Sequence, residues 1–271
     1  MVEVHFINVG CGNMVLMHLS AGTTMLYDCN VTDENAGDVL TYLGRAMGDK
    51  SHIDIFVCSH RDSDHMRGIK RVHRLYDIRK LWDSGVPGTT PDSPEYHQYM
   101  DLRRSLPVVV EAEARKKSTF GDSVVRCMNS KDSDYTDANE QSIVLKIEYK
   151  GSSLLLAGDT NYRPWKEKIL PWYGDAVASS ILLAAHHGSV SFFDDPSHPG
   201  YVDHIKKISP AMTIVSVGPN VHGLPHQQAL ERYSRYSQGS DKGNKVYRTD
   251  KQGNMKVALK GAGAWSIWVH Q

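Results

Sequence analysis

IDIFVCSHRDSDHMRGI, residues 53–69, passes from an apolar run straight into four potential metal ligands within six positions. The run IDIFVC has the length and composition of a buried strand, and a helical pattern begins soon after His65. In extended backbone alternate side chains share a face, so His60, Asp62 and Asp64 can point to one side. A turn into the helix can then bring His65 in from the other. Imidazole nitrogens mixed with hard carboxylate oxygens suit Zn2+, Mn2+ or Fe. A solvated polar loop could also hold two Asp and two His, but it would not need a fully apolar strand directly before it.

Outward from this segment, short apolar or alternating runs recur: VEVHFINV, NMVLMHL, TTMLYD, VVVEAEA, SVVRCM, SIVLKIEY, SSLLLAG, SSILLAAHH, AMTIVSVG, KVYRTD, MKVAL and AWSIWV. Gly or polar turns separate most of them, which predicts many short strands. Helical periodicity is confined to residues 35–47, 67–76, 94–105, 164–170 and 227–236. Strands outnumber helices throughout, whereas a parallel βαβ chain would need a helix after nearly every strand. The expected fold is therefore α+β, two β-sheets face to face with helices outside, in a single domain over 1–271. VPGTTPDSP, residues 86–94, is loop-like and predicts an insertion.

Bulk properties narrow the function. Lys plus Arg and Asp plus Glu are each 31, so no overall basic excess supports general coating of nucleic acid, though a local basic groove remains compatible. Cys11, Cys29, Cys58 and Cys127 form no C-x-x-C pair and read as reduced thiols. No apolar stretch reaches the roughly 18–20 residues that span a bilayer, and the N-terminus lacks a signal-peptide pattern, so the expectation is a cytoplasmic protein without a membrane partner.

HRDSDH resembles the H-x-[HD]-x-D-H signature of the metallo-β-lactamase superfamily, with Asp at the second ligand position. Further blocks are similar in the same order: HFINVGCGNMVLMH, MLYDCN ending on Asp28, ANEQSIVLKIEYKGSSLLLAGDT, ILLAAHHGS, SVGPNVHGLPHQQALERY and KVYRTDKQGNMKV. Together they resemble the ComEC-type metallo-β-lactamase domain of DNA-uptake channel proteins, here as a stand-alone version. Residues 86–107 are the main part left uncovered. The resemblance implies an αββα four-layer sandwich and a dinuclear hydrolytic centre holding two divalent metal ions, Zn2+ or Mn2+. It implies His60 and Asp62 on one ion, Asp64 and His65 on the other, and Asp159 bridging both. The rival reading of Asp159 is an N-cap for the helix near Pro164. His186 and His187 close an apolar strand; adjacent strand residues face opposite ways, so one of them is expected in the site, with His187 favoured. Asn139 falls where other members carry a third histidine and is expected to orient water or substrate.

Two positions depart from the pattern. The ligand His that relatives carry before a proline is Leu224 here, in NVHGLPH (220–226), leaving His226 or His222 to replace it. Arg67 stands where relatives have Gly, which questions the close backbone packing there.

Two such cations lower the pKa of a shared water. Asp64 could then orient the nucleophile, and His222 or the spare histidine of 186/187 could protonate the leaving group. Arg67, Lys70, Arg71 and Arg74 fall on one helical stripe beginning two residues after a ligand, suited to a polyanion such as DNA, RNA or a nucleotide. A helix face paired with nearby Asp and Glu would look the same. The leading expectation is a phosphodiesterase or nuclease. A small-molecule metallo-hydrolase (lactonase or phosphorylcholine-type esterase) and a degenerate binding module are the alternatives. The sequence names no protein partner.

Overall fold

The computed structural model describes residues 1–195, 197–239 and 243–270. Six strands of the first large sheet come first, β1 (Val2–Phe6), β2 (Val15–His18), β3 (Thr24–Tyr27), β4 (Ile55–Cys58), β5 (Leu81–Asp83) and β6 (Val109–Glu111). Seven strands of the second large sheet follow, β7 (Lys117–Phe120), β8 (Ser123–Asn129), β9 (Val144–Tyr149), β10 (Ser152–Leu156), β11 (Ile181–Leu183), β12 (Met212–Val215) and β13 (Val246–Arg248). The chain then returns to the first sheet with β14 (Asn254–Gly261) and β15 (Ala264–His270). The first sheet runs β15-β14-β1-β2-β3-β4-β5-β6 and the second β7-β8-β9-β10-β11-β12-β13. Each is antiparallel on one side and parallel on the other, with the parallel halves formed by β3 to β6 and β10 to β13.

Side-chain alternation explains the four layers. Met25, Tyr27, Ile55 and Val57 from the first sheet meet Leu154, Leu156, Ile181 and Leu183 from the second in the central core. Their neighbours Leu26, Phe56 and Cys58 face outward, onto Val39 and Leu43 of α1 (Ala36–Met47), Ile69 and Val72 of α3 (Ile69–Leu75) and Leu102 of α4 (Pro94–Ser105). A short α2 (Ser63–Met66) precedes α3. On the far side Leu155, Leu182 and Val215 pack on Trp165, on Ile205 of α5 (Asp203–Ile208) and on Tyr233 of α6 (Gln227–Tyr236). Strands buried on both faces read as continuous apolar runs, which is why DIFVCS, SSLLLAG and SSILLAA show no polar alternation. The expected αββα sandwich is the observed one.

Four expected helices appear with small boundary shifts, and the fifth, at 164–170, is the middle of a helical run over residues 162–173. Helix α5 was not expected from periodicity; six residues give too little pattern. The predicted insertion is a loop over 86–93 that leads into α4, whose Tyr99 and Leu102 are buried in the outer core. No helix among the described residues is long and apolar enough to cross a membrane.

Candidate metal centre

Strands β3, β4, β10 and β11 end at the same rim, and the side chains beyond their C-terminal ends converge. Asp28 follows β3 with φ +57°, a left-handed turn that an Asp tolerates. Its buried carboxylate accepts the Ser59 main-chain N–H at 2.7 Å, the Ser59 hydroxyl at 2.9 Å and Nδ1 of His65 at 2.8 Å. An Nδ1–H given to a carboxylate leaves Nε2 as the free lone pair, the arrangement of a ligating histidine. His187 is fixed likewise, its Nδ1 bonding the Ser216 carbonyl at 3.0 Å. Nδ1 of His60 lies 3.1 Å from the Ser59 hydroxyl and 3.3 Å from that of Ser142, which also takes the Asp159 N–H at 3.2 Å.

The opposite ring atoms all face inward. His65 Nε2 is 3.3 Å from Asp159 Oδ1 and 3.6 Å from Asp64 Oδ2. His187 Nε2 is 3.1 Å from Asp64 Oδ2 and 3.5 Å from Asp159 Oδ2. His60 Nε2 is 3.6 Å from Asp62 Oδ2. His60, His65 and Asp159 form one group with metal-ligand spacing, and Asp64, His65 and His187 another. Nε2 of His60, His65 and His187 and Oδ1 of Asp159 are buried with no hydrogen-bond partner among the described residues. Buried polar atoms are seldom left so. Ligand atoms 2.0–2.1 Å from a tetrahedral zinc lie about 3.3 Å apart, so separations of 3.1–3.6 Å fit a divalent cation.

Electrostatics point the same way. Burial alone would push the Asp159 carboxyl up, but the imidazoles of His65, His187 and His186 hold it well below the usual carboxylate range. Asp64 is lowered against the same burial by His65 and His187. Burial opposes charge on His65 and His187, yet the facing carboxylates raise both well above an ordinary histidine. His60 is lowered, by burial and then by His65. A divalent cation would relieve this knot by displacing the imidazole protons and taking the freed Nε2 lone pairs.

The centre floors an open cleft of about 930 Å³, lined by Asp62, Asp64, Asn139, Asp159, His186 and His187 among others. Asn139 Oδ1 is buried there without a partner among the described residues. Asp159 does not cap the next helix; Asn161 does, accepting the Arg163 N–H at 2.9 Å. Strand alternation does not separate the two adjacent histidines. Both lie past β11 with positive φ, 48° and 52°, and both turn toward Asp159. His187 is buried, while His186 is about one-third exposed with Nε2 3.7 Å from Asp159 Oδ2.

His222 and His226 line the cleft, but neither belongs to a ligand-spaced group among the described residues. His226 starts α6 and uses Nδ1 to accept the Val190 N–H at 3.0 Å; His222 is exposed at the lip. Leu224 also faces the cleft. The close packing questioned at Arg67 is found one residue on. Gly68 has φ +74°, and a Cβ there would sit 2.4 Å from the Val31 carbonyl oxygen.

The basic stripe is the clearest difference from expectation. Lys70 pairs with Asp101 at 3.2 Å, Arg71 with Asp33, and Arg67 with Glu95 at 3.7 Å. Arg74 is exposed, and Arg67 alone of the four lines the cleft. The acids come from α4 and the loop after β3, far in sequence, so the helix pattern could not reveal them. Asp28 and Ser59, which orient the ligands, were legible only as a strand-end Asp and a polar residue before the motif.

No family profile matches the chain. Its fold is shared with solved metallo-β-lactamase-fold structures. The metallo-β-lactamase fold protein YhfI from Bacillus subtilis superposes with TM-score 0.55 at 12% identity, covering 98% of both chains. The diiron β-hydroxylase CmlA from Streptomyces venezuelae gives TM-score 0.60 at 16% identity, over 95% of this chain and 54% of that one. The metallo hydrolase Igni18 from Ignicoccus hospitalis gives 0.51 at 12% identity. The chain thus has the metallo-β-lactamase fold, which by itself does not choose the chemistry. In sequence it is 26% identical over 208 residues to the competence protein ComA of Neisseria gonorrhoeae, in agreement with the ComEC-type resemblance. The match takes in 76% of this chain and spans about a quarter (25%) of that relative.

Proposed function

We propose that the protein is a metal-dependent hydrolase with a two-cation centre, acting on a phosphodiester in a nucleotide or a flexible nucleic-acid strand. The observation that carries this reading is the convergence of the free Nε2 atoms of His60, His65 and His187 on the carboxylates of Asp62, Asp64 and Asp159 at the floor of an open cleft. His60 and Asp62 would hold one cation, Asp64, His65 and His187 the other, and Asp159 would face both. Divalent cations held there would lower the pKa of a bound water and offset charge developing on a phosphoryl oxygen.

The chain's own groups then divide the remaining work. Asn139 presents an amide oxygen at the cleft, suited to orienting water or substrate. Arg67, the guanidinium on the cleft wall, would take a phosphate oxygen. His222 at the lip, or His186 beside Asp159, would hand a proton to the departing oxygen. Thr32, Asn35, Thr89, Thr90, Ser189 and Asn220 are among the polar residues that line the cleft, beside the apolar Val9, Val221 and Leu224. The paired state of Lys70 and Arg71 weighs against a long duplex laid along α3.

The test is hydrolysis of bis(p-nitrophenyl) phosphate and of labelled single- and double-stranded nucleic acid with Mn2+ or Zn2+, beside Asp64→Ala. Expected are metal-dependent cleavage, a preference for single strands, and its loss in the variant. A metal-loaded protein that cleaves no phosphodiester would overturn the substrate class.

A further inference from the structure

The two oxygens of Asp62 have different neighbours. Oδ1 accepts the Thr89 main-chain N–H at 2.6 Å and the Thr89 hydroxyl at 3.0 Å, while Oδ2 faces His60 Nε2 at 3.6 Å. An oxygen that already takes two hydrogen bonds has little lone-pair capacity left, so a single oxygen remains for a cation. The loop reaches Asp62 because residue 88 is a glycine. A Cβ there would stand 2.0 Å from the Arg61 carbonyl oxygen and 2.7 Å from Asp62 Oδ1.

Arg61, between His60 and Asp62, is anchored by the same part of the chain. Its guanidinium grips Asp83 through two bonds, at 3.0 and 2.6 Å, and reaches the Tyr96 hydroxyl at 3.3 Å. The fully buried Asp83 also accepts the Tyr99 hydroxyl at 2.9 Å and Nε of Arg103 at 2.6 Å. With four donors on one carboxylate the buried charge is compensated, and the main chain that carries the two ligands is fixed. Tyr96, Tyr99 and Arg103 all belong to α4.

We infer that Thr89 is a positioning residue for the His60–Asp62 half of the centre, presenting Asp62 as a one-oxygen ligand. The loop after Asp83 together with α4 is the element that supplies this control. The inference rests on the two-cation reading and adds to it the part of the chain that sets one of the two affinities.

Calorimetric titration of the full chain with Zn2+ and with Mn2+, beside metal analysis after dialysis, tests it without recourse to activity. Thr89→Val removes the hydroxyl donor, and Gly88→Ala pushes the whole loop away. Loss of an outer partner of a ligand typically weakens metal binding by about 10–100-fold. Thr89→Val is expected to weaken one of the two cations about tenfold and leave the other unchanged. Gly88→Ala should weaken the same cation further, and Thr89→Ser should restore it. Circular dichroism checks that each variant is folded. Wild-type affinity for both ions in Thr89→Val, or equal weakening of both, overturns the inference while leaving the hydrolase reading intact. A wild-type chain that binds no cation overturns both.

Discussion

Buried histidines at the rim and in the outer layer of this sandwich have opposite surroundings. At the rim, His65 and His187 face the carboxylates of Asp64 and Asp159 and are raised well above an ordinary histidine. In the outer layer beneath the second sheet, His204 on α5 is fully buried among aromatic rings. It stacks on Tyr201 at 4.9 Å and lies 4.1 Å from Phe192, 5.4 Å from Phe193 and 5.9 Å from Trp165. Burial presses its pKa down to about 3, opposed only by a main-chain interaction with Phe192. Burial is the same in both places. Facing carboxylates hold one set in the charged form, with the spacing of metal ligands, and their absence makes the other a neutral packing residue.

Removing the charge at the rim should have the largest effect. Asp159→Ala takes away the carboxylate that faces both halves of the centre, so metal content should fall and phosphodiester hydrolysis drop by about three orders of magnitude. Elemental analysis and a rate assay on the same preparation check this. Asp28→Asn is milder. Asn tolerates the left-handed backbone but no longer holds the His65 Nδ1–H as a carboxylate does, so cation affinity should fall about 10–100-fold with the fold intact.

The aromatic site makes the opposite kind of prediction. His204 is neutral in the folded chain down to about pH 3 but titrates near 6.5 when unfolded. Its folded pKa is depressed, so its stabilising contribution is complete above 6.5 and declines as pH falls toward 3. Between pH 7 and pH 5 the loss should be about 2 kcal/mol. Urea unfolding of wild type and His204→Phe at the two pH values should show that loss as the difference between them, since the raised His65 and His187 shift both proteins alike in the opposite direction. The smallest effects are expected on α3. Lys70→Ala, whose charge is already paired with Asp101, should change kcat/KM less than about twofold, whereas Arg67→Ala should raise KM about tenfold.

How much could be read beforehand depends on sequence distance. His60, Asp62, Asp64 and His65 lie within one turn after a strand, so local backbone geometry brings them close whatever the rest of the chain does. Helices such as 94–105 and 227–236 were legible from periodicity, because their apolar positions repeat often enough to count. The His186/His187 choice was not, since the backbone there leaves the strand for a left-handed turn. The basic stripe misled for a related reason. Charges four residues apart are visible in sequence, whereas their counter-ions Asp33, Glu95 and Asp101 arrive from elsewhere.

By itself the sequence determined the layered sandwich and the local ligand run, since both follow from periods of two and 3.6 residues and from a six-residue spacing. Only the tertiary structure decided which distant groups complete the rim: Asp28 behind His65, Ser216 behind His187, Thr89 on Asp62. Hydrogen bonds between residues 27 to 37 positions apart leave no periodic trace, because they depend on where strands are ordered in a sheet and on where loops return.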